Sequence, residues 1–252
     1  MTYPHPSEGH QELVCTAGIT EDSQWVRLYP IDYRYQPTQR QFRKYQWIEI
    51  GLTDRGAKND GRKESRKPDL ESIHILGDPL PTTHDWQARR EIIDRMPHQT
   101  PLELRAQYDV DKVSLGIVRP AEILDLKIEP VERTWKPEWE ATLRQFNLFS
   151  GQPKQLTKLP YKFSYVFRCA DTGEKAHSAM IEDWELGVLY LKEVGRLGSE
   201  EAAVASVRKK FFDEMCAPAR DTRFFMGTVF PYNTWVVIGV FWPPKQTQGS
   251  LF

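Results

Sequence analysis

Apolar and polar residues alternate with a period of two over much of the first half of this chain. Segments 12–19 and 25–31 read as strands joined by the polar connection Thr20-Glu21-Asp22-Ser23-Gln24. Segments 45–52 and 72–76 read as two more strands. Between them, 53–68 is rich in Gly, Asp, Lys and Arg and is expected as an exposed loop, too polar to pack. Helical spacing then takes over. Residues 85–95 set Trp86, Ile92 and Ile93 among charges, and Thr100-Pro101-Leu102-Glu103 opens a further helix. There the Thr hydroxyl can accept from the third amide, Glu103 can reach back, and Pro101 sits where no donor is missed. Strands return at 113–118 and 123–128.

Residues 130–160 read as a joint with a short helix over 137–146. Beyond it come strands 161–169 and 176–181, helices 182–194 and 199–215, and strands 223–229 and 234–242. Leu115-Gly116-Ile117-Val118-Arg119-Pro120 is echoed by Ile238-Gly239-Val240-Phe241-Trp242-Pro243, as if one small unit occurred twice. The expected fold class is α+β, β-rich, with two small OB-like barrels carrying helical insertions. The first barrel is placed at 1–130, a linker with its helix at 131–160, the second unit at 161–245 and a tail at 246–252.

With 252 residues and 40% hydrophobic content, the chain can build one large core or two small ones. A formal net charge of -1 means that any case for nucleic acid must be local. Cys15, Cys169 and Cys216 are far apart, with no Cys-x-x-Cys, which argues against structural zinc or a disulfide framework and for a reducing cytoplasm. No run is apolar and long enough to span a bilayer, so no membrane partner is expected. The phosphate-cradling, dinucleotide, His-Glu-x-x-His and Gly-x-Ser-x-Gly motifs are all missing, so no cofactor is expected and NTPase or nicotinamide chemistry is disfavoured.

The local case lies between residues 25 and 67. Basic side chains outnumber acidic ones about two to one there and are interleaved with Trp25, Tyr29, Tyr33, Tyr35, Phe42, Tyr45 and Trp47. Bases stack on aromatic faces while Lys and Arg follow phosphates, so DNA or RNA is the expected partner, single-stranded by preference. The candidate binding residues are Trp25, Arg27, Tyr29, Arg34, Arg43, Lys44, Arg62, Lys63, Arg66 and Lys67. Alternation puts Trp25, Arg27 and Tyr29 on one strand face, read as outward, with Val26 and Leu28 toward the core. Strand aromatics and charged loops are also the ordinary material of cores and solvated surfaces.

Candidate catalytic residues are His177, Asp183 and Glu185, the residue types with which a metal-dependent nuclease activates water. Acids at a helix start also offset the helix dipole, and residues two apart diverge in direction, so the structural role is favoured. His5 and His10 lie in a polar segment without partner spacing, Cys15 reads as a small buried hydrophobe, and no metal site is assigned.

Two resemblances add to this. Tyr3-Pro4, Glu12-Leu13-Val14-Cys15-Thr16-Ala17-Gly18-Ile19, Trp25-Val26-Arg27-Leu28-Tyr29-Pro30, Ile181-Glu182-Asp183-Trp184-Glu185 and Phe225-Met226-Gly227-Thr228 together resemble a prokaryotic family described as a dual OB-containing domain. The resemblance implies two OB-like barrels and a role with nucleic acid, and it supplies no catalytic residues. Gln248-Gly249-Ser250-Leu251-Phe252 resembles the peptide by which bacterial replication and repair proteins hold the DNA sliding clamp. Gln248, Leu251 and Phe252 would be the clamp anchors, and Gly249 departs from the Leu usual at its position. The combined expectation is a nucleic-acid-binding accessory protein of DNA repair, mobile elements or defence, tethered to the clamp. The alternatives are a metal-dependent nuclease or base-acting hydrolase, or a protein-interaction scaffold.

Overall fold

The computed structural model describes residues 1–7, 10–54, 60–149, 156–170, 175–229 and 233–246. β1 (His5–Ser7), β2 (His10–Ile19) and β3 (Trp25–Ile31) run antiparallel in turn, and the β2–β3 hairpin closes with the Gln24 amide donating to Thr20 Oγ1 at 3.1 Å. The expected strand over 45–52 is broken in two. β4 (Ile48–Glu49) and β5 (Leu52–Asp54) belong to different sheets.

The segment expected as an exposed loop contributes a central strand instead. β6 (Ser65–Pro68) lies parallel to β3 and antiparallel to β5, giving the order β1-β2-β3-β6-β5. Its approach is buried despite its polarity, because the polar groups satisfy one another. Asp60 accepts from Arg62 Nε at 2.7 Å and from Ser65 Oγ at 2.7 Å. Residues 55–59 lie outside the described residues. β7 (His74–Ile75) pairs only with β4.

α1 (Thr83–Ile93) follows, and the second region begins with β8 (His98–Gln99) and α2 (Pro101–Asp111). The helix start read at Thr100 forms as expected. Glu103 N donates to Thr100 Oγ1 at 3.2 Å, and Thr100 N donates to Glu103 Oε2 at 2.7 Å. β9 (Leu115–Val118), β10 (Glu122–Pro130), α3 (Pro137–Phe149), β11 (Tyr161–Arg168) and β12 (His177–Met180) follow. Then come α4 (Trp184–Leu197), α5 (Glu200–Arg208), a π-helical turn at Lys209–Glu214, β13 (Arg223–Val229) and β14 (Thr234–Phe241).

These strands form a sheet of order β14-β13-β9-β8 and another of order β10-β11-β12. The fold is α+β, with open sheets rather than closed barrels. The main core lies on these two sheets beneath α4 and α5, with Tyr165 stacked on Phe224 at 4.5 Å between ring centroids.

Sheet pairing runs across the expected division at 130. All four residues of β9 are buried, so it needs partners on both edges, and it finds them in β8 and in β13 a hundred residues later. β10 likewise pairs along its length with β11. The break in sheet pairing therefore falls before β8. The short echo between 115–120 and 238–243 marks two strands of one sheet, not the ends of two barrels.

The two regions meet through buried polar groups. Arg27, 2% exposed, donates from Nη2 to the carbonyl and hydroxyl of Ser114, each at 2.9 Å, and from Nη1 to Cys15 Sγ at 3.0 Å. Ser114 N in turn donates to Glu64 Oε1 at 2.6 Å, and Arg62 Nη1 to the Thr228 carbonyl at 3.1 Å. Tyr3 lies flat on α4 at Gly187, where a Cβ would come within 2.2 Å of its ring.

A candidate binding cleft between the hairpin and the first helix

A cavity of about 760 Å³ opens beside this joint, within the roughly 300–1,000 Å³ range of sites that enclose small organic groups. The β2–β3 hairpin forms one wall with Thr16, Ala17 and Trp25, and residues 42–50 form the opposite wall with Phe42, Tyr45 and Trp47. Arg89, Ile92 and Ile93 of α1 contribute a third side, and Phe225 and Ile238 reach in from the second region. Trp25 stands edge-on to Phe225 at 6.3 Å, which braces the hairpin against β13. Trp47 is half-buried and has no ring partner among the described residues.

Tyr45 sits at the centre of the polar part of this cleft. Its φ of 62° is unusual for a bulky side chain, and His84, Asp85 and Trp86 at the start of α1 also have positive φ. Backbone of this kind concentrates at sites where geometry is held for function. Trp86 meets the Tyr45 ring edge-on at 6.4 Å, and the Arg89 guanidinium lies 4.1 Å above the centroid of that ring. The Tyr45 hydroxyl is buried with no hydrogen-bond partner among the described residues. Burial pushes its pKa up to about 12, so the phenol stays protonated at neutral pH and can donate. The Thr16 hydroxyl on the facing strand is likewise buried without a partner among the described residues.

Arg89 is anchored by one bond, Nε to the Leu80 carbonyl at 2.7 Å. No carboxylate pairs with it among the described residues. Burial lowers its pKa from the ordinary arginine value, with Tyr45 and Glu185 acting the other way. It remains charged at neutral pH because that value starts so high.

Lys44 is the other half-buried cation of the cleft, and it is fully engaged. Its Nζ lies 2.7 Å from Glu185 Oε2 and 3.4 Å from Asp183 Oδ2, which ties the cleft wall to the start of α4. Burial pulls the lysine pKa down, but Asp183, Tyr45 and Glu185 outweigh it and hold the ammonium above its usual range. Burial pushes Glu185 up, yet Lys44 outweighs this and holds the carboxyl below its usual range.

Asp183 and Glu185 thus have structural duties: Asp183 Oδ1 also caps α4, accepting from the Glu185 amide at 2.9 Å. His177 is engaged elsewhere, packed on Phe167 at 5.5 Å. Among the described residues, no three His, Cys, Asp or Glu side chains gather as a metal site.

Trp25, Arg43 and Lys44 from the sequence-derived set line the cleft. Arg27 is a correction. It faces the joint, not solvent, because Ser114 of the second region covers that face of β3. Arg62 is buried beside Asp60, and Arg34 pairs with Glu12 at 2.8 Å. Tyr29 is half-buried, and Arg66 donates to the Lys63 and Ser65 carbonyls. Lys63 and Lys67 are exposed. Tyr45 and Trp47 belong to the aromatic stretch, but their spacing alone does not set them apart, and nothing in the sequence marks Thr16 or Arg89. Gln248, Leu251 and Phe252 lie outside the described residues.

The fold and cleft define a mixed α+β protein with a large, mainly apolar cavity furnished with a few polar groups. The chain belongs to the family described as domain of unknown function DUF8757, whose model matches residues 97–252. Residues 1–95 match a second one, domain of unknown function DUF8758. The border between the two matches coincides with the break in sheet pairing before β8. No curated protein and no solved structure matches the chain. Among the described residues, no helix is long and apolar enough to cross a membrane.

Proposed function

We propose that this protein binds nucleic acid and takes an unpaired base into the cleft between the β2–β3 hairpin and residues 42–50. The carrying observation is the cleft itself, where Trp25, Tyr45 and Trp47 line a cavity of about 760 Å³ in company with Arg43 and Arg89. Aromatic faces accept any base, and stacking contributes about 1–3 kcal/mol per base. The exposed cations Arg43, Lys63 and Lys67 are available to phosphates of the flanking strand. Cys15, Cys169 and Cys216 form no disulfide among the described residues, which suits a reducing, cytoplasmic setting.

The role is that of an accessory factor for repair, mobile elements or defence. The segment Gln248 to Phe252 would concentrate it at DNA by holding the sliding clamp, so that neither contact need be tight alone. Hydrolysis through His177, Asp183 and Glu185 is the weaker reading, because Lys44 and the helix cap occupy the two acids.

Photocross-linking tests the placement of the base. A single strand carrying a photoreactive pyrimidine should attach to residues 42–50 or to Trp25. Attachment confined to surfaces away from the cleft would refute it.

A further inference from the structure

The charges around the cleft are unevenly arranged. Its exposed rim mixes signs, with Glu21, Asp22 and Glu49 set against Arg43. On the Tyr45 side no acid pairs with Arg89 among the described residues; Glu185 acts on it from beyond ion-pair distance and is itself held by Lys44. The Arg89 guanidinium lies against both the Tyr45 and Trp86 rings, 4.1 and 4.8 Å from their centroids, with Nε tied to Leu80. Its Nη nitrogens have no carboxylate partner among the described residues, and the buried Tyr45 hydroxyl has no acceptor there. Lys44 cannot take this role, since Asp183 and Glu185 hold it.

A half-buried guanidinium that lines a cavity and has no ion-pair partner among the described residues is a strong anion receptor, because charge-assisted bonds gain as water is excluded. A neutral base would fill the apolar walls and leave this cation unanswered. A polyanionic strand running through would meet acids at the rim. One planar group bearing one phosphate satisfies both ends.

Resting on the nucleic-acid reading above, we infer that the cleft is a site for a nucleoside monophosphate group, its base against Trp25 and Trp47 and its phosphate on Arg89. The same chemistry comes from two sources, a free mononucleotide or the phosphorylated end of a single strand.

Calorimetric titrations of the full chain with adenosine and cytidine 5′-monophosphates, and with adenosine and cytidine, test the claim. Short single strands with and without a 5′-phosphate form the second arm. The phosphate-bearing ligands should bind more tightly than their phosphate-free partners. Arg89→Met should remove roughly tenfold or more of that advantage, and Arg89→Lys, which keeps the charge but loses the planar fork, a smaller part of it. Preference for the phosphorylated strand over the mononucleotide identifies a strand end as the source, and the reverse identifies a free nucleotide.

Equal affinity with and without the phosphate, or an advantage untouched by both variants, overturns the inference. Salt-sensitive strand binding in that case leaves the nucleic-acid reading standing. If no strand and no nucleotide binds, both fall together.

Discussion

The joint and the cleft are neighbours built from similar residues, and both hold buried polar atoms without a partner among the described residues, Arg27 Nε and Glu64 Oε2 at the joint among them, but they hold their guanidinium groups differently. At the joint, buried Arg27 meets Ser114 and Cys15, Ser114 meets Glu64, and Arg62 meets Asp60 and Thr228. At the cleft, a few residues away, the hydroxyls of Tyr45 and Thr16 have no partner among the described residues, and no acid there forms an ion pair with Arg89. Buried polar groups left unmatched are costly, so a fold keeps few of them unless something else answers them. Arginine content alone therefore does not mark a binding surface. What distinguishes the two regions is whether the guanidinium is already satisfied by the chain.

If that distinction is sound, changes at the joint should cost stability and changes in the cleft should cost affinity. The largest effect is expected from Arg27→Met. It strips the Ser114 carbonyl and hydroxyl of their donor, and urea unfolding should show a loss of about 2–5 kcal/mol. Strand affinity of the protein that remains folded should be unchanged. Loss of affinity without loss of stability would mean that Arg27 is a contact residue and that the comparison fails.

Trp47→Ala comes next, in the opposite sense. Strand affinity should fall by about 1–3 kcal/mol by anisotropy. Unfolding should shift little, since the ring has no aromatic partner among the described residues. Replacing Lys63 and Lys67 together with Ala should be milder still at a single salt concentration. Its mark is a shallower plot of log affinity against log salt, by roughly 0.7 for each phosphate of a single strand that the variant no longer neutralises. An unaltered slope would remove these lysines from the interface.

The smallest effect concerns the Lys44 latch, which belongs to both regions. Glu185 has a folded pKa below its ordinary value of 4.5, with Lys44 as the favourable cause. Its contribution is therefore present above that value and is lost as pH falls through the lower folded pKa. The carboxylate side chain is half exposed, so Glu185→Gln should cost no more than about 0.5 kcal/mol near neutral pH. The variant and the parent should converge in stability as the solution is acidified. A constant difference down to strongly acidic pH would show that the pair is not the source.

What could be read from the sequence was local. The β2–β3 hairpin, the capping box at Thr100 and Glu103, and a helix start at Asp183 each follow from neighbouring residues, and all are present. Failures began where partners are far apart in the chain. β6 looked like a loop because its approach is polar, yet it lies beside β3 and its buried charges are matched by Asp60 and Ser114. Alternation correctly put Arg27 and Leu28 on opposite faces of β3, but it could not show that a second region covers the Arg27 face. Trp25 and Tyr45 stood out by residue type. Arg89 did not, since an arginine in a charged helix becomes informative only when its neighbours turn out to be two aromatic rings and no ion-pair partner among the described residues.

Titration of labelled single-stranded DNA and RNA with the full chain, followed by fluorescence anisotropy across a series of salt concentrations, asks whether the cleft takes bases. Binding should be saturable, should weaken steeply as salt rises and should weaken further in Trp47→Ala, while Arg27→Met, measured where it is folded, binds like the parent. No saturable binding at low salt would contradict that role for the cleft, as would binding indifferent to Trp47.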